Sequence, residues 1–208
     1  MARSSSWLVT PDKFLTPEQV RVLRAHMDAE RAHGAAVDDK KAVRDAAIVE
    51  TLLGTGLRVS EACSLLIGDL FLDQGGGNVI VRHGKGNKAR MVAIGDRLAA
   101  YLGDFIAWKE TIGEPVEASS PVFLSERKAA MSRSAVHRVW KAALGRAELP
   151  TRWGVHATRH SYAVEVYRKT KDLRLTQRLL GHASPTTTMV YASLLDDSVR
   201  AGVAMVWA

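Results

Sequence analysis

Thiol chemistry is almost absent from this chain: its one cysteine, Cys63, permits neither an internal disulfide nor a cysteine-built zinc site. Such usage suits a reducing, cytoplasmic setting, and Cys63 itself reads as a small buried helix residue. No run approaches the roughly 18 consecutive apolar residues that a membrane-spanning helix requires. The opening MARSSSWLVTPDK also lacks the apolar core of a secretory signal, so no membrane role is expected. Internal repeats are missing, as is any block combining low hydrophobicity with high charge. With 47% hydrophobic residues in 208 positions, the chain is expected to bury a core as one sizeable domain, with room for a small appendage. Acidic residues are the scarcer charges: 22 against 29 lysines and arginines, a net charge of +7. That excess favours a polyanionic partner, since each phosphate neutralised releases a condensed counterion.

Hydrophobic periodicity and punctuation predict an α+β protein, mainly α-helical with a small three-stranded antiparallel sheet. Thr16, Pro17 and Gln19 form a helix start with a capping side chain, proline at the first position and a capping-box partner. The first helix is predicted over residues 15–33. Asp38 or Asp39 opens a second, whose apolar face runs from Val43 to Leu53 and which ends at Gly54 and Gly56. A short helix over 59–66 follows. Three β-type runs at 70–72, 79–81 and 91–94 are separated by Gly75 to Gly77 and by HGKGNK at 83–88, a meander. Helices are expected at 96–111, 132–145, 156–169, 173–181, 185–192 and 196–207, with the main loop at 113–120.

Several side chains carry chemistry. Arg58 lies just past a glycine-bounded helix end. Lys85 sits between Gly84 and Gly86, which allow tight-turn backbone angles. GKG is not a nucleotide-binding loop, because Gly86 stands where that motif needs Ser or Thr after the lysine. His156 and Arg159 are spaced i, i+3 at a helix start, where amide donors and the helix dipole favour an anion. His160, at i+4 from His156, raises a zinc reading. The peptidase pattern needs Glu after the first histidine, however, and Ala157 is there, so no metal is expected. His182 follows Gly181, and Tyr191 comes nine positions later. Two guanidiniums that can grip an anion, two imidazoles that can move protons and a phenol that can attack make a kit for breaking a phosphodiester without metal.

TGLRVSEACSL, GKGNKAR, HATRH, LLGH and the following tyrosine, in this order and spacing, resemble the tyrosine recombinases, a family that includes phage integrases and chromosome-dimer resolvases. The resemblance covers Leu15 to Leu194. It departs at Ala157, where the family often carries Asp. It implies that Arg58 binds a non-bridging oxygen of the scissile phosphate, with Glu61 and His160 in support. Lys85 would protonate the leaving 5′ oxygen, while Lys88 and Arg90 contact DNA phosphates. His156 would be the base, Arg159 and His182 would stabilise the pentavalent phosphorus, and Tyr191 would be the nucleophile that forms a 3′-phosphotyrosine. A phenol pKa of about 10 makes tyrosine a poor nucleophile at neutral pH, and Arg58, Arg159 and Lys85 would favour the phenolate.

The implied activity is site-specific DNA cleavage and rejoining without cofactor, metal or ATP. Two alternatives stay open: relaxation of the type IB topoisomerase kind, and a non-catalytic DNA-binding regulator on the same fold. The expected partner is double-stranded DNA, with a homo-oligomer, a tetramer on paired sites, as the DNA-bound state; a free monomer is left open. Residues 1–14 read as an N-terminal extension or linker remnant, 15–195 as the catalytic domain, and 196–208 as a helical tail, docked on a neighbouring protomer or on its own domain. Most of the family carries a helical DNA-clamping domain ahead of the catalytic one. The chain is therefore expected to be either an excised catalytic domain or a naturally short recombinase, with weak, salt-sensitive DNA grip unless copies assemble.

Overall fold

The computed structural model describes residues 10–73, 76–82 and 89–181. Its order is α1 (Pro17–Ala36), α2 (Lys40–Thr55), α3 (Val59–Cys63), β1 (Leu70–Asp73), β2 (Gly76–Val81), β3 (Arg90–Ile94), α4 (Asp96–Thr111), α5 (Arg133–Arg146), α6 (His156–Thr170) and α7 (Leu173–Leu180), with 3₁₀ turns at Pro11–Lys13 and Ile67–Asp69. The expected helices at 185–192 and 196–207 lie outside the described residues. Among the described residues no helix is long and apolar enough to cross a membrane.

Local chemistry explains most boundaries. Thr16 Oγ1 accepts the Gln19 amide at 3.2 Å while the Gln19 side chain accepts the Thr16 amide at 2.8 Å, with Pro17 at the first helical position. This is the capping box expected from the sequence. Asp39 caps α2 by accepting the amides of Lys41 and Ala42. Gly56 ends that helix in the left-handed region, φ 61°, and an added Cβ there would lie 2.7 Å from the Tyr162 ring, so both its angle and its contact require glycine. The third helix is shorter than the predicted 59–66. Its end is set by tertiary pairing: Leu66 bridges Pro121, and the Ile67 amide donates to the Ser120 carbonyl at 2.8 Å.

The sheet has order β1-β2-β3, all antiparallel, with Leu70 opposite Val79 and Val79 opposite Val92. Side chains alternate across the pleat: Val79, Val81, Val92 and Ile94 are buried, whereas Met91 and Phe71 are exposed. The buried face joins one large core with α1 to α5, where Leu23, Leu52, Leu102, Leu144 and Trp140 are fully covered. A smaller cluster of Ala163, Val164 and Leu180, with Phe14 and Tyr162 packed against it, holds α6 to α7. The long loop after α4 is tied down by Lys109. Its ammonium, fully buried, donates to Glu114 at 3.0 Å and to the Val122 carbonyl at 3.2 Å.

Two indoles position the start of α6. Trp140 Nε1 donates to the Trp153 carbonyl at 3.0 Å, and Trp153 Nε1 donates to the Asp12 carbonyl at 2.8 Å. The turn preceding His156 is thus hung between α5 and the chain before α1. Trp140→Phe keeps an aromatic ring but strands the Trp153 carbonyl, and should cost about 1–3 kcal/mol of unfolding free energy, measured by urea titration. A loss under about 0.5 kcal/mol, the size of an ordinary surface change, would mean the bond does not hold the turn.

Candidate active site

Arg159 is the most constrained of the expected residues. Its side chain rises from the first turn of α6 and the residue is 2% exposed. Nη1 donates to the Gly56 carbonyl at 2.7 Å and Nη2 to the Leu180 carbonyl at 2.6 Å. These oxygens stand at the C-termini of α2 and α7, the negative ends of two helix dipoles. A buried guanidinium needs such compensation, because an uncompensated ion in a low-dielectric interior is strongly disfavoured.

Arg58 sits in extended conformation just before α3. Its amide donates to Glu61 Oε2 and its Nη1 to Glu61 Oε1, each at 2.8 Å. The Arg58 side chain remains 29% exposed while that of Glu61 is nearly covered. Glu61 is therefore a buried anchor that orients an arginine toward the surface. Burial alone would raise its carboxyl pKa. The Arg90 fork, the Arg58 amide and the two positive charges outweigh burial and hold it at about 2, so Glu61 is a carboxylate throughout the physiological range.

Arg90 is placed differently from the sequence expectation of a DNA phosphate contact. Nη1 and Nη2 both bond Glu61, at 2.8 and 2.9 Å. Its Nε is buried without a hydrogen-bond partner. The physical reason is strand alternation: Arg90 shares the inward face with Val92 and Ile94, so its side chain turns toward α3. That period-2 signal was present in the sequence and would have placed Arg90 inside.

His156 opens α6 with its surface exposed, and its ring meets that of His160 edge to face, centroids 4.6 Å apart. Partial desolvation, then the charges of Arg159 and Arg58, hold His156 below the usual imidazole pKa. His160 is pushed further, to about 4, by desolvation first and then by His156, Arg159 and Lys13. Both rings are neutral at pH 7, so each can accept a proton. That Arg58 and Arg159 both act on His156 places the three in one electrostatic neighbourhood. Beside it opens a cleft of about 320 Å³ whose lining includes Lys13, Arg152, His156 and His160. Among the described residues no group of three or more His, Cys, Asp or Glu is gathered as for a metal ion. Ala157, where a hydrogen-bonding side chain was the alternative, is buried, and its carbonyl accepts Ser161 Oγ at 2.9 Å. Ser161 Oγ in turn accepts the Leu15 amide, which ties α6 to the segment before α1.

Lys85, Lys88, His182 and Tyr191 lie outside the described residues. The strands on either side of the first two are described, with Val81 opposite Arg90. Gly181, immediately before His182, closes α7 at φ 63°.

The sequence matches the family described as Phage integrase family over residues 13–197. It is 33% identical over 186 residues to the Nitrobacter winogradskyi protein named tyrosine recombinase XerC, covering 88% of this chain and 56% of that one. It is 32% identical over 178 residues to tyrosine recombinase XerD of Neisseria meningitidis, covering 86% and 57%. The chain thus spans little more than half the length of these curated relatives. In fold it is similar to the XerH site-specific recombinase in a post-cleavage complex with palindromic difH substrate (TM-score 0.76, 24% identity, 94% of this chain and 53% of that one). It is also similar to the catalytic domain of bacteriophage HP1 integrase (TM-score 0.59, 22% identity, 93% and 94%).

Histidines whose pKa is depressed by folding bind fewer protons in the native state than in the unfolded one. Their contribution to stability is complete above a pH of about 6.5 and is lost as pH falls toward about 4. Between pH 7 and pH 5 the wild-type melting temperature should therefore fall further than that of His160→Gln; equal falls would contradict the burial of a neutral His160.

Proposed function

The chain belongs to the phage integrase family, and from that premise we propose that it is the strand-cleaving and rejoining part of a site-specific DNA recombinase. The observation that carries this reading is that Arg58 and Arg159, each fixed by its own hydrogen bonds, both act on His156, two cations in the electrostatic neighbourhood of a proton acceptor.

Chemistry follows from the residues. Tyr191 attacks the scissile phosphorus, and His156, unprotonated at neutral pH, accepts the phenolic proton. Arg58 and Arg159, with His182, stabilise the charge gathering on the non-bridging oxygens. One preorganised donor of this kind is worth roughly 10²–10³ in rate. The P–O bond to the 5′ oxygen breaks and that oxygen takes a proton from Lys85, leaving a 3′-phosphotyrosine and a free 5′ hydroxyl. A 5′ hydroxyl from a partner strand then attacks the phosphotyrosine, giving its proton to Lys85 while the P–O bond to Tyr191 breaks and the tyrosine regains its proton from His156, which restores a phosphodiester. One P–O bond forms and one breaks in each step, so the phosphodiester energy is conserved and neither ATP nor metal is needed. Lys88 contacts the DNA backbone near the hairpin carrying Lys85.

Exchange between two duplexes breaks four strands, and each break consumes one nucleophile. Four copies on two paired sites are therefore the working assembly. In the domain reading, residues 15–195 form the catalytic unit, preceded by an extension at 1–14, and 196–208 form a tail that docks on a neighbouring copy. The exposed basic surface brings each copy to DNA in a salt-dependent manner.

Incubation with a nicked duplex carrying candidate sites, in EDTA, followed by denaturing electrophoresis, should show a protein–DNA adduct for the wild type and none for Tyr191→Phe, whose DNA affinity stays within about threefold. Adduct persisting in Tyr191→Phe would remove the nucleophile assignment, and adduct that disappears with EDTA would indicate metal-dependent cleavage.

A further inference from the structure

The geometry points to Arg90 as a positioning residue that sets Arg58, through the carboxylate they share, and the end of α7. The inference rests on the proposed cleavage reaction for its functional meaning.

Four hydrogen bonds and one close approach carry it. Glu61 Oε1 receives Nη1 of both Arg58 and Arg90, each at 2.8 Å, while Oε2 receives Arg90 Nη2 at 2.9 Å and the Arg58 amide at 2.8 Å. A carboxylate held by a planar, two-point fork cannot rotate without breaking one of those bonds. The plane of the Glu61 carboxylate is thus set by β3, and Arg58 is aimed by that plane. On its other side the Arg90 side chain lies against Gly181, where an added Cβ would stand 2.4 Å from Nε and 2.5 Å from Cδ. Gly181 is the left-handed cap of α7, and His182 follows it in sequence. One side chain therefore joins β3, the carboxylate that holds Arg58 and the glycine that caps α7.

A phosphate contact would need donors turned outward. Arg90 has both terminal nitrogens committed to Glu61 and its side chain is 17% exposed.

The test is a double-mutant cycle of Arg58→Ala and Arg90→Gln, with Arg90→Lys as the variant that keeps charge but loses the fork. Single-turnover cleavage of a nicked duplex and DNA affinity over a salt series are measured together. Misplacing Arg58 should slow cleavage about 100-fold in both Arg90→Gln and Arg90→Lys, with affinity and its salt slope retained. Adding Arg90→Gln to Arg58→Ala should bring no further loss, since the residue acts through Arg58. Losses that multiply would overturn the proposal. So would weaker binding with a salt slope smaller by about 1, the signature of a phosphate contact. Where Arg90→Gln fails to fold because Glu61 is left uncompensated, the cycle is run in Glu61→Gln/Arg90→Gln, which removes both charges; a large further loss from Arg58→Ala in that background would overturn it. Orthovanadate titration of the same proteins reads the cycle without cleavage. If the wild type forms no adduct on any duplex, the cleavage reading fails. Arg90 is then judged by whether its effect on vanadate affinity disappears in Arg58→Ala, as expected, or remains in full, which would refute it.

Discussion

A carboxylate with almost no access to water, Glu61, is the group on which the placement of Arg58 depends. Arg58 and Arg90 converge on it, and Arg58 and Arg159 both act on His156. Without an internal anion these guanidiniums would repel one another and bury charge uncompensated. Removing one member of such a buried pair typically costs about 3–5 kcal/mol. With the anion present, one positive charge is neutralised inside while Arg58 stays partly exposed. The site is left net positive toward solvent, the condition for attracting a phosphate.

Arg159 obeys the same constraint by other means. Its charge is met by dipoles: the last carbonyls of α2 and α7 accept its fork. That arrangement requires both helices to end against α6. Each does so through a glycine in the left-handed region, Gly56 and Gly181, both crowded by a neighbouring side chain. Cationic surroundings then have a consequence for acid–base chemistry. Burial first, and then the positive charges that would hold a phosphate, keep His156 and His160 deprotonated, so a base is ready at neutral pH without any carboxylate to activate it. The charges that would grip the anion thus add to what burial does for the base.

Much of this was legible in the chain because it is locally encoded. The Thr16–Gln19 box, the Asp39 cap, the glycine stops and the meander all follow from residue type and spacing. Arg58, Glu61, His156, Arg159 and His160 were identifiable from their motifs; His156 and His160 line the cleft, Arg58 and Arg159 act on His156, and Glu61 holds Arg58. What was not legible depends on distant partners. Helix α3 stops early because the chain near Leu66 pairs with Pro121, far along the sequence. The anchoring of Arg159 by carbonyls more than 20 and 100 positions away has no local signature. Arg90 is a different case. A basic residue beside a basic hairpin suggested phosphate, whereas the strand period placed it inward, and inward proved decisive once Glu61 lay beneath it. The curated relatives share the family with this chain, and the solved structures share its fold.

The most direct test of the Glu61-centred arrangement is titration of that carboxyl by carbon-detected NMR with side-chain labelled glutamate, assigned through Glu61→Gln. A carboxylate gripped by two guanidiniums should titrate at about 2. A midpoint at the ordinary glutamate value of about 4.3 would mean that the Arg58–Glu61–Arg90 arrangement does not hold in solution, and the account of how Arg58 is placed would fall with it.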